Sequence, residues 1–184
     1  VNYAMSSFWY ARPGVETNVK PDVESVQKAV ALERSDIYSP EVDENGELEG
    51  ENLEVLSVDS GTQTVQTGQL GWSGNGQLWW RNAVTGAALT TQFVLEEGGR
   101  YQVEAELTKA ADYGIVQLSI NGSEALARFN GYHQDGVATE KVGLGIHNLK
   151  AGENILTMKV LGKHDRAKPG NMAGIDVLYF EKVK

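Results

Sequence analysis

The sequence predicts an all-β fold, an antiparallel β-sandwich of the jelly-roll type, from Leu48 to the C-terminus. Short segments of alternating apolar and polar residues recur there, and turn-forming residues separate them at regular intervals. Asn121-Gly122, a dipeptide that favours the tight turns of β-hairpins, lies between two such segments. No convincing helix interrupts the series. Many short strands without a helix are typical of sandwiches and jelly rolls.

Ten segments carry the strand pattern: residues 53–58, 63–67, 77–81, 88–95, 97–108, 115–120, 124–129, 141–147, 154–161 and 175–181. Alternation is clear in 88–95, where Leu89 and Phe93 fall on the same face of the strand. Trp79 and Trp80 are consecutive, so one of them must point to the core and the other outward. At least one of these two rings is therefore expected to be structural.

The chain before Leu48 has a different character. Residues 1–14 are rich in aromatics and end at a Pro-Gly turn, so they predict an extended arm, the terminal strand of a preceding and mostly absent catalytic-type domain. Residues 15–47 are acidic and poor in aromatics, and they are interpreted as a linker in which 22–34 could form a short helix. The sandwich is assigned to 48–184.

Composition restricts the partners of the chain. The net charge is −9, which repels phosphate backbones, so nucleic acid is not an expected partner. No apolar run approaches the length of about 20 residues that a membrane helix needs, so no membrane partner is expected either. Cysteine is absent, which excludes thiol catalysis and thiolate metal sites.

The order of the strand signals resembles a known group of modules. Glu49-Gly-Glu51 precedes the first strand, Leu78-Trp-Trp leads into an alternating strand, and Leu118-Ser-Ile-Asn-Gly forms a central hairpin. Leu149-Lys-Ala-Gly-Glu and Gly174-Ile-Asp-Val-Leu follow in the same order. This series resembles carbohydrate-binding modules of the family 6 and family 35 type over residues 48–183. The resemblance implies a jelly-roll fold and a poly- or oligosaccharide partner.

A narrower resemblance concerns the sandwich behind the catalytic domains of glycoside hydrolase family 172, which are similar to difructose-anhydride synthase. Trp72-Ser-Gly, Gln77-Leu-Trp-Trp and Asp112-Tyr-Gly-Ile-Val-Gln-Leu are similar to segments of that sandwich, and Ser6-Ser-Phe-Trp-Tyr resembles the closing strand of such a catalytic domain. The resemblance implies an adjacent catalytic domain in the same protein. It also implies secretion or a periplasmic location.

The resemblance to families 6 and 35 implies a structural Ca²⁺ site made by Glu49, Glu51 and Asp176. Calcium prefers hard oxygen ligands such as carboxylates. Glu49 and Glu51 are two residues apart and would face the same way on a strand. Asp176 stands between Ile175 and Val177, where an inward carboxylate would need a partner. The alternative is that these are ordinary surface acids of an acidic protein.

Five residues are candidates for a sugar-binding surface, because aromatic rings stack on sugars and amide or imidazole groups bind hydroxyls. They are Trp72, Tyr113, Tyr132, His133 and Asn171. Exposure of Trp72 and Tyr113 over a common groove would favour glycan binding. If these two rings pack beneath loops, a structural role is favoured instead.

Catalytic motifs are missing from the sequence: it has no His-Glu-x-x-His spacing, no Gly-x-Ser-x-Gly elbow and no phosphate-binding loop. We therefore expect no catalytic residue in this chain by itself. The leading hypothesis is a non-catalytic accessory module that binds glycan and is appended to a polysaccharide-degrading glycoside hydrolase. The alternative is a purely structural domain that supports the catalytic domain or its oligomer and has no ligand of its own.

Overall fold

A computed structural model of the protein describes residues 40–184. The aromatic arm predicted for 1–14, and the linker with its short helix as far as residue 39, lie outside the described residues. Within 40–184 the chain forms eleven strands and two single-turn 3₁₀ segments, Gly50–Asn52 and Ser73–Asn75. The predicted antiparallel β-sandwich is confirmed.

The strands form two antiparallel sheets. The larger sheet has the order β3-β4-β11-β6-β9, with β1 also paired to β11, and the smaller sheet has the order β2-β5-β10-β7-β8. Their bounds are β1 Glu47–Glu49, β2 Glu54–Val58, β3 Thr62–Thr67, β4 Gly76–Arg81, β5 Ala88–Leu95, β6 Gly99–Lys109, β7 Gly114–Ile120, β8 Ser123–Asn130, β9 Ala138–Leu149, β10 Gly152–Lys163 and β11 Ala173–Lys182.

The core lies between the two sheets and is made by alternate residues of each strand. In β5, Leu89 and Phe93 point inward and are at most 2% exposed. Phe93 meets Phe180 of the opposite sheet with ring centroids 4.9 Å apart. Trp80 is fully buried, while Trp79 is only half-buried and lies on the outer face. The prediction that one of these two tryptophans points to the core and the other outward is therefore confirmed.

The sandwich begins earlier in the chain than the sequence suggested. The Val42 N–H donates to Val94 O at 2.9 Å, and the Val94 N–H donates to Pro40 O at 2.7 Å, so this segment is bonded to the strand β5. Leu48 is only 2% exposed, and Glu49 pairs with Val177 of β11. Because most residues of this stretch are acidic, a strand of three residues with a single buried apolar side chain was not recognised in the sequence. The C-terminal end of the predicted linker, from Pro40, is therefore already paired with the sandwich.

A β-bulge and a group of three hydrogen-bonded loops position the candidate site residues. The pairing of β11 with β6 shifts register between Ile175 and Val177, so Asp176 is the extra residue of a β-bulge. At one end of the sandwich, three loops are joined by backbone hydrogen bonds: Ala110 N donates to Gly131 O, and Lys168 N donates to Ala111 O. Residues 110–113, 131–137 and 164–172 therefore form one loop surface, the loop end.

Candidate functional site

The three carboxylates predicted to bind metal come together around the turn at Ser73. The Ser73 hydroxyl donates to Glu49 Oε1 at 2.7 Å, and the Ser73 N–H donates to Asp176 Oδ1 at 2.9 Å. A Cβ atom on Gly74 would lie 3.0 Å from Glu51 Oε1 and 3.2 Å from Glu49 Oε2. The two glutamates thus face one point in space, which is open because position 74 has no side chain.

Local backbone geometry explains how these residues meet. Gly50 packs so closely on β11 that a Cβ there would collide with the carbonyl oxygen of Ile175. This close approach brings the Gly50–Asn52 turn, with Glu51, against the bulge at Asp176. Gly74 has a φ of 54°, in the left-handed region that glycine adopts without strain. Both glycines are therefore required to assemble the carboxylates.

The electrostatics of this cluster are unbalanced. Asp176 is 1% exposed, and burial first, then the charges of Glu106, Glu49 and Glu51, raises its pKa to about 7. Burial also raises the pKa of Glu51. Glu49 Oε2 and Glu51 Oε2 are buried and accept no hydrogen bond from residues 40–184. None of the ion pairs in that part of the chain involves the cluster. No ion pair within residues 40–184 therefore offsets the negative charge of the cluster.

The side chains are not already arranged as a finished metal centre. Among residues 40–184, no group of three or more His, Cys, Asp or Glu side chains stands in metal-ligating geometry. A bound cation would therefore draw the carboxylates of Glu49, Glu51 and Asp176 closer together. The orphaned buried oxygens and the open space at Gly74 fit that requirement.

Trp72 and Tyr113, two of the candidate sugar-binding residues, are buried. Trp72 is 7% exposed and Tyr113 is 4% exposed. Trp72 Nε1 donates to Thr108 Oγ1 at 3.1 Å, and Thr108 Oγ1 donates to Gln77 Oε1 at 2.6 Å. Gln77 Nε2 donates to the Tyr113 hydroxyl at 3.0 Å and to Gln66 Oε1 at 2.8 Å.

This chain of bonds, the Gln77 network, explains why the two rings turn inward. Each has a polar tip that finds a buried partner on the outer face of the larger sheet. Burial raises the pKa of the Tyr113 hydroxyl to about 12, so it stays protonated. Of the two arrangements left open by the sequence, the structure has Trp72 and Tyr113 packed beneath loops, which favours a structural role at these two positions.

The other three predicted ligand residues lie at the loop end. Tyr132 is half-buried and stacks on His164, with ring centroids 4.5 Å apart and planes 3° from parallel. His133 N donates to Ala110 O at 3.1 Å, which ties this loop to its neighbour. Asn171 Nδ2 donates to Ala83 O at 3.0 Å, and its Oδ1 is buried without a partner among residues 40–184.

Two features were not predicted from the sequence, one at the loop end and one on the outer face of β4. His164 was not among the predicted ligand residues, because its stacking partner Tyr132 is 32 positions away and the pairing depends on the loop fold. Arg81 places its guanidinium carbon 4.7 Å from the ring centroid of Trp79, on the outer face of β4. Trp79 Nε1 and Arg81 Nε are buried donors with no acceptor in the described part of the chain. Their i and i+2 spacing on a strand was the available signal.

A groove of about 200 Å³ lies elsewhere, beside Tyr179. Gln102, Glu104 and Glu181 also line it. Lys141 Nζ lies 3.4 Å from the ring centroid of Tyr179, so a cation of the chain itself already covers that ring. The groove contains none of the predicted ligand residues.

Comparison with known proteins supports the fold. No protein-family model and no curated protein sequence matches the chain. Among solved structures, a Paenibacillus xanthan lyase matches 74% of the chain at 20% identity, with a TM-score of 0.66. The GH26-CBM35 β-(1,4)-mannanase of Podospora anserina matches 76% at 20% identity, with a TM-score of 0.52. A cycloisomaltooligosaccharide glucanotransferase of Paenibacillus sp. matches 77% at 15% identity, with a TM-score of 0.51.

These similarities define the class of fold. The chain spans 13% of the lyase, 28% of the mannanase and 19% of the glucanotransferase. It is therefore similar to a portion of each of these proteins. At 15–20% identity the likeness establishes the shared β-sandwich fold. Residues 40–184 contain no helix that is both long enough and apolar enough to span a membrane.

Proposed function

We propose that this chain is a non-catalytic accessory domain that binds a poly- or oligosaccharide and is appended to a polysaccharide-degrading glycoside hydrolase. The shared sandwich fold and the resemblance to family 6 and 35 modules support this proposal. The resemblance of its motifs to the sandwich behind family 172 catalytic domains supports an adjacent catalytic domain of that type. A secreted or periplasmic location belongs to the same proposal, because polysaccharide substrates lie outside the cytoplasm.

The observation that carries the proposal is the loop end. The stacked pair of Tyr132 and His164 offers a half-exposed aromatic surface, and aromatic surfaces suit the apolar faces of sugar rings. Asn171 lies on the same loop as His164, and its Nδ2 donates to Ala83 O at 3.0 Å, which anchors this loop. His133 lies on the same loop as Tyr132 and adds a polar ring. A shallow surface of this kind predicts modest affinity for one segment of a longer chain.

We also propose that Ca²⁺ binds the carboxylates of Glu49, Glu51 and Asp176 and stabilises the sandwich. Calcium takes about six to eight oxygen ligands, several of them carboxylates or carbonyls. It would neutralise the buried charges of the cluster and link β1 to the bulge of β11. Its role would be structural, since the predicted ligand residues of the loop end belong to other loops.

Glycan binding is tested by isothermal titration calorimetry of the purified chain with soluble polysaccharides. The panel includes xanthan and β-1,4-mannan, the polymers that the names of two similar structures point to. Tyr132→Ala should abolish binding, because it removes the ring that stacks on the sugar. Tyr132→Phe keeps the stacked ring and should retain it.

The matched control is Leu70→Ala, which removes an exposed apolar side chain that is 45% exposed and lies outside the loop end. It should bind like the parent chain. Trp79→Ala tests the other outward aromatic ring. If Trp79→Ala abolishes binding and Tyr132→Ala does not, the glycan binds at the outer face of β4 rather than at the loop end. Failure of every glycan to bind would overturn the proposed function.

The burial of Trp72 and Tyr113 favours a second candidate function, a purely structural domain that supports the catalytic domain or its oligomer. It predicts no glycan binding by the chain and a large loss of thermal stability of the parent enzyme when the domain is deleted. Thermal unfolding of the parent enzyme with and without residues 48–184 measures that loss. Unchanged unfolding of the truncated enzyme would contradict it.

A further inference from the structure

The edge strands of the sandwich differ in how they are protected against pairing with another chain. Exposed strand edges carry unpaired N–H and C=O groups, and proteins usually blunt them with charges or bulges. β2 begins with Glu54 and has a bulge between Val55 and Ser57. β8 contains two charged side chains and two register shifts. β9 contains Glu140, Lys141 and a register shift opposite Val103 and Glu104.

The strand β3 has none of these devices. Its sequence, Thr-Gln-Thr-Val-Gln-Thr, contains neither a charge nor a proline. It pairs with β4 in unbroken register from Thr62 opposite Arg81 to Thr67 opposite Gly76. Thr62, Gln63, Thr64 and Thr67 are exposed. Within residues 40–184, β4 is its only partner strand. The edge is therefore flat and regular, and no second strand of residues 40–184 pairs with it.

We propose that β3 pairs with β3 of a second copy of this chain, antiparallel, to form a symmetric dimer. A two-fold axis perpendicular to a sheet leaves each face of the sheet on its own side. Residues that lie opposite each other must point to the same face, so the axis has to pass between one residue and the same residue of the other copy. An axis at Thr64 pairs Thr64 with its own equivalent and Gln63 with Val65 of the other copy. Cross-strand pairs of threonine are favourable, and no like charges meet.

The distribution of charge favours a second copy of this chain as the partner of β3. The chain has a net charge of −9, so two copies repel each other over most of their surface, and a neutral seam is where they can approach. The two ends of β3 also differ in sign. Arg81 lies beside Thr62, whereas Glu51 approaches Gly76 beside Thr67. Antiparallel pairing turns the positive end of one copy toward the negative end of the other.

The seam is short, and this limits its strength. Six residues on each side bury far less area than the roughly 1,600 Å² of a standard stable interface. We therefore expect a weak dimer whose population depends on protein concentration. This inference is independent of glycan binding.

Sedimentation equilibrium of the full chain over a concentration series tests the proposal. The apparent mass should rise from 20.0 kDa toward twice that value as the concentration reaches about 100 µM. Thr64→Lys places two like charges opposite each other across the axis and should weaken association by about tenfold. Thr64→Glu should do the same. A mixture of the two variants should associate again, because the opposite charges now pair across the axis.

Ser57→Lys is the matched control, since it adds the same charge to an exposed position on a different edge strand, β2. It should leave association unchanged. Circular dichroism and thermal unfolding verify that each variant is folded. A wild-type chain that stays monomeric throughout the series would overturn the proposal. So would association that Thr64→Lys leaves intact, or variants that fail to associate when mixed.

Discussion

Replacing Gln77 by leucine removes the centre of the Gln77 network while keeping a side chain of similar size. Gln77 is fully buried, so no water can take the place of its amide. Its Oε1 accepts from Thr108, and its Nε2 donates to Tyr113 and to Gln66. The substitution leaves two hydroxyl groups, of Thr108 and Tyr113, without this partner inside the protein.

The magnitude follows from those two groups. Thr108 is 1% exposed and Tyr113 is 4% exposed, so both lose a bond that solvent cannot replace. A buried polar group left unsatisfied costs about 1–3 kcal/mol, so the two together should lower the free energy of unfolding by about 2–6 kcal/mol. Gln66 is only partly buried and can turn to water, so it is not counted.

Urea denaturation followed by tryptophan fluorescence measures the effect, with Gln63→Leu as the control. Gln63 lies on the adjacent strand with an exposed side chain, and its substitution should change the free energy of unfolding by less than about 0.5 kcal/mol. A loss below about 1 kcal/mol for Gln77→Leu would refute the reasoning, because the network would then contribute no more than a single ordinary hydrogen bond.

Three further predictions concern the carboxylate cluster and the network. Adding Ca²⁺ to the metal-free chain should raise the midpoint of thermal unfolding, and Asp176→Asn should abolish that gain. Identical melting curves with EDTA and with Ca²⁺ would contradict the proposed calcium site. In calcium-free buffer, Asp176 binds its proton up to a pH of about 7 when folded but only up to about 3.8 when unfolded. The contribution of Asp176 to the free energy of unfolding should therefore fall as the pH rises from 4 to 7 and level off above that. The Asp176→Asn variant should lack this pH-dependent contribution. Urea midpoints measured across that pH range test the prediction, and equal pH profiles for the two proteins would contradict it. Gly174→Ala drives a Cβ into the amide of Gln77 and should destabilise the fold by about 1–3 kcal/mol, while Gly143→Ala, with open space around it, should be nearly neutral in the same urea assay; equal effects would contradict the close approach.

The fold could be predicted because its signals are local. Alternation in residues 88–95 and the Asn121-Gly122 turn depend on neighbouring residues, and the strands β5 and β7 appear where those signals place them. Asn121 has a φ of 49°, as the tight hairpin turn requires. The strand β1 was missed because three residues with one buried leucine give no detectable period.

The candidate site was less predictable because it depends on contacts between distant residues. The convergence of Glu49 and Asp176 was expected from a family resemblance, and the bulge that turns Asp176 toward Ser73 left no sign in the sequence. For Trp72 and Tyr113, an aromatic ring in a glycine-rich or polar loop left both exposure and burial open. The buried partners that draw these rings inward, Thr108 and Gln77, lie 36 positions away in each case.

The central claim is that the loop end binds glycan, and backbone amide chemical shifts measured during titration with an oligosaccharide test it most directly. The account predicts concentration-dependent shifts confined to the amides of residues 110–113, 131–137 and 164–172, with Tyr132, His164 and Asn171 among the largest. The amides of β2 serve as the internal reference. Shifts centred on Trp79 and Arg81, or no shifts with any glycan of the panel, would contradict it.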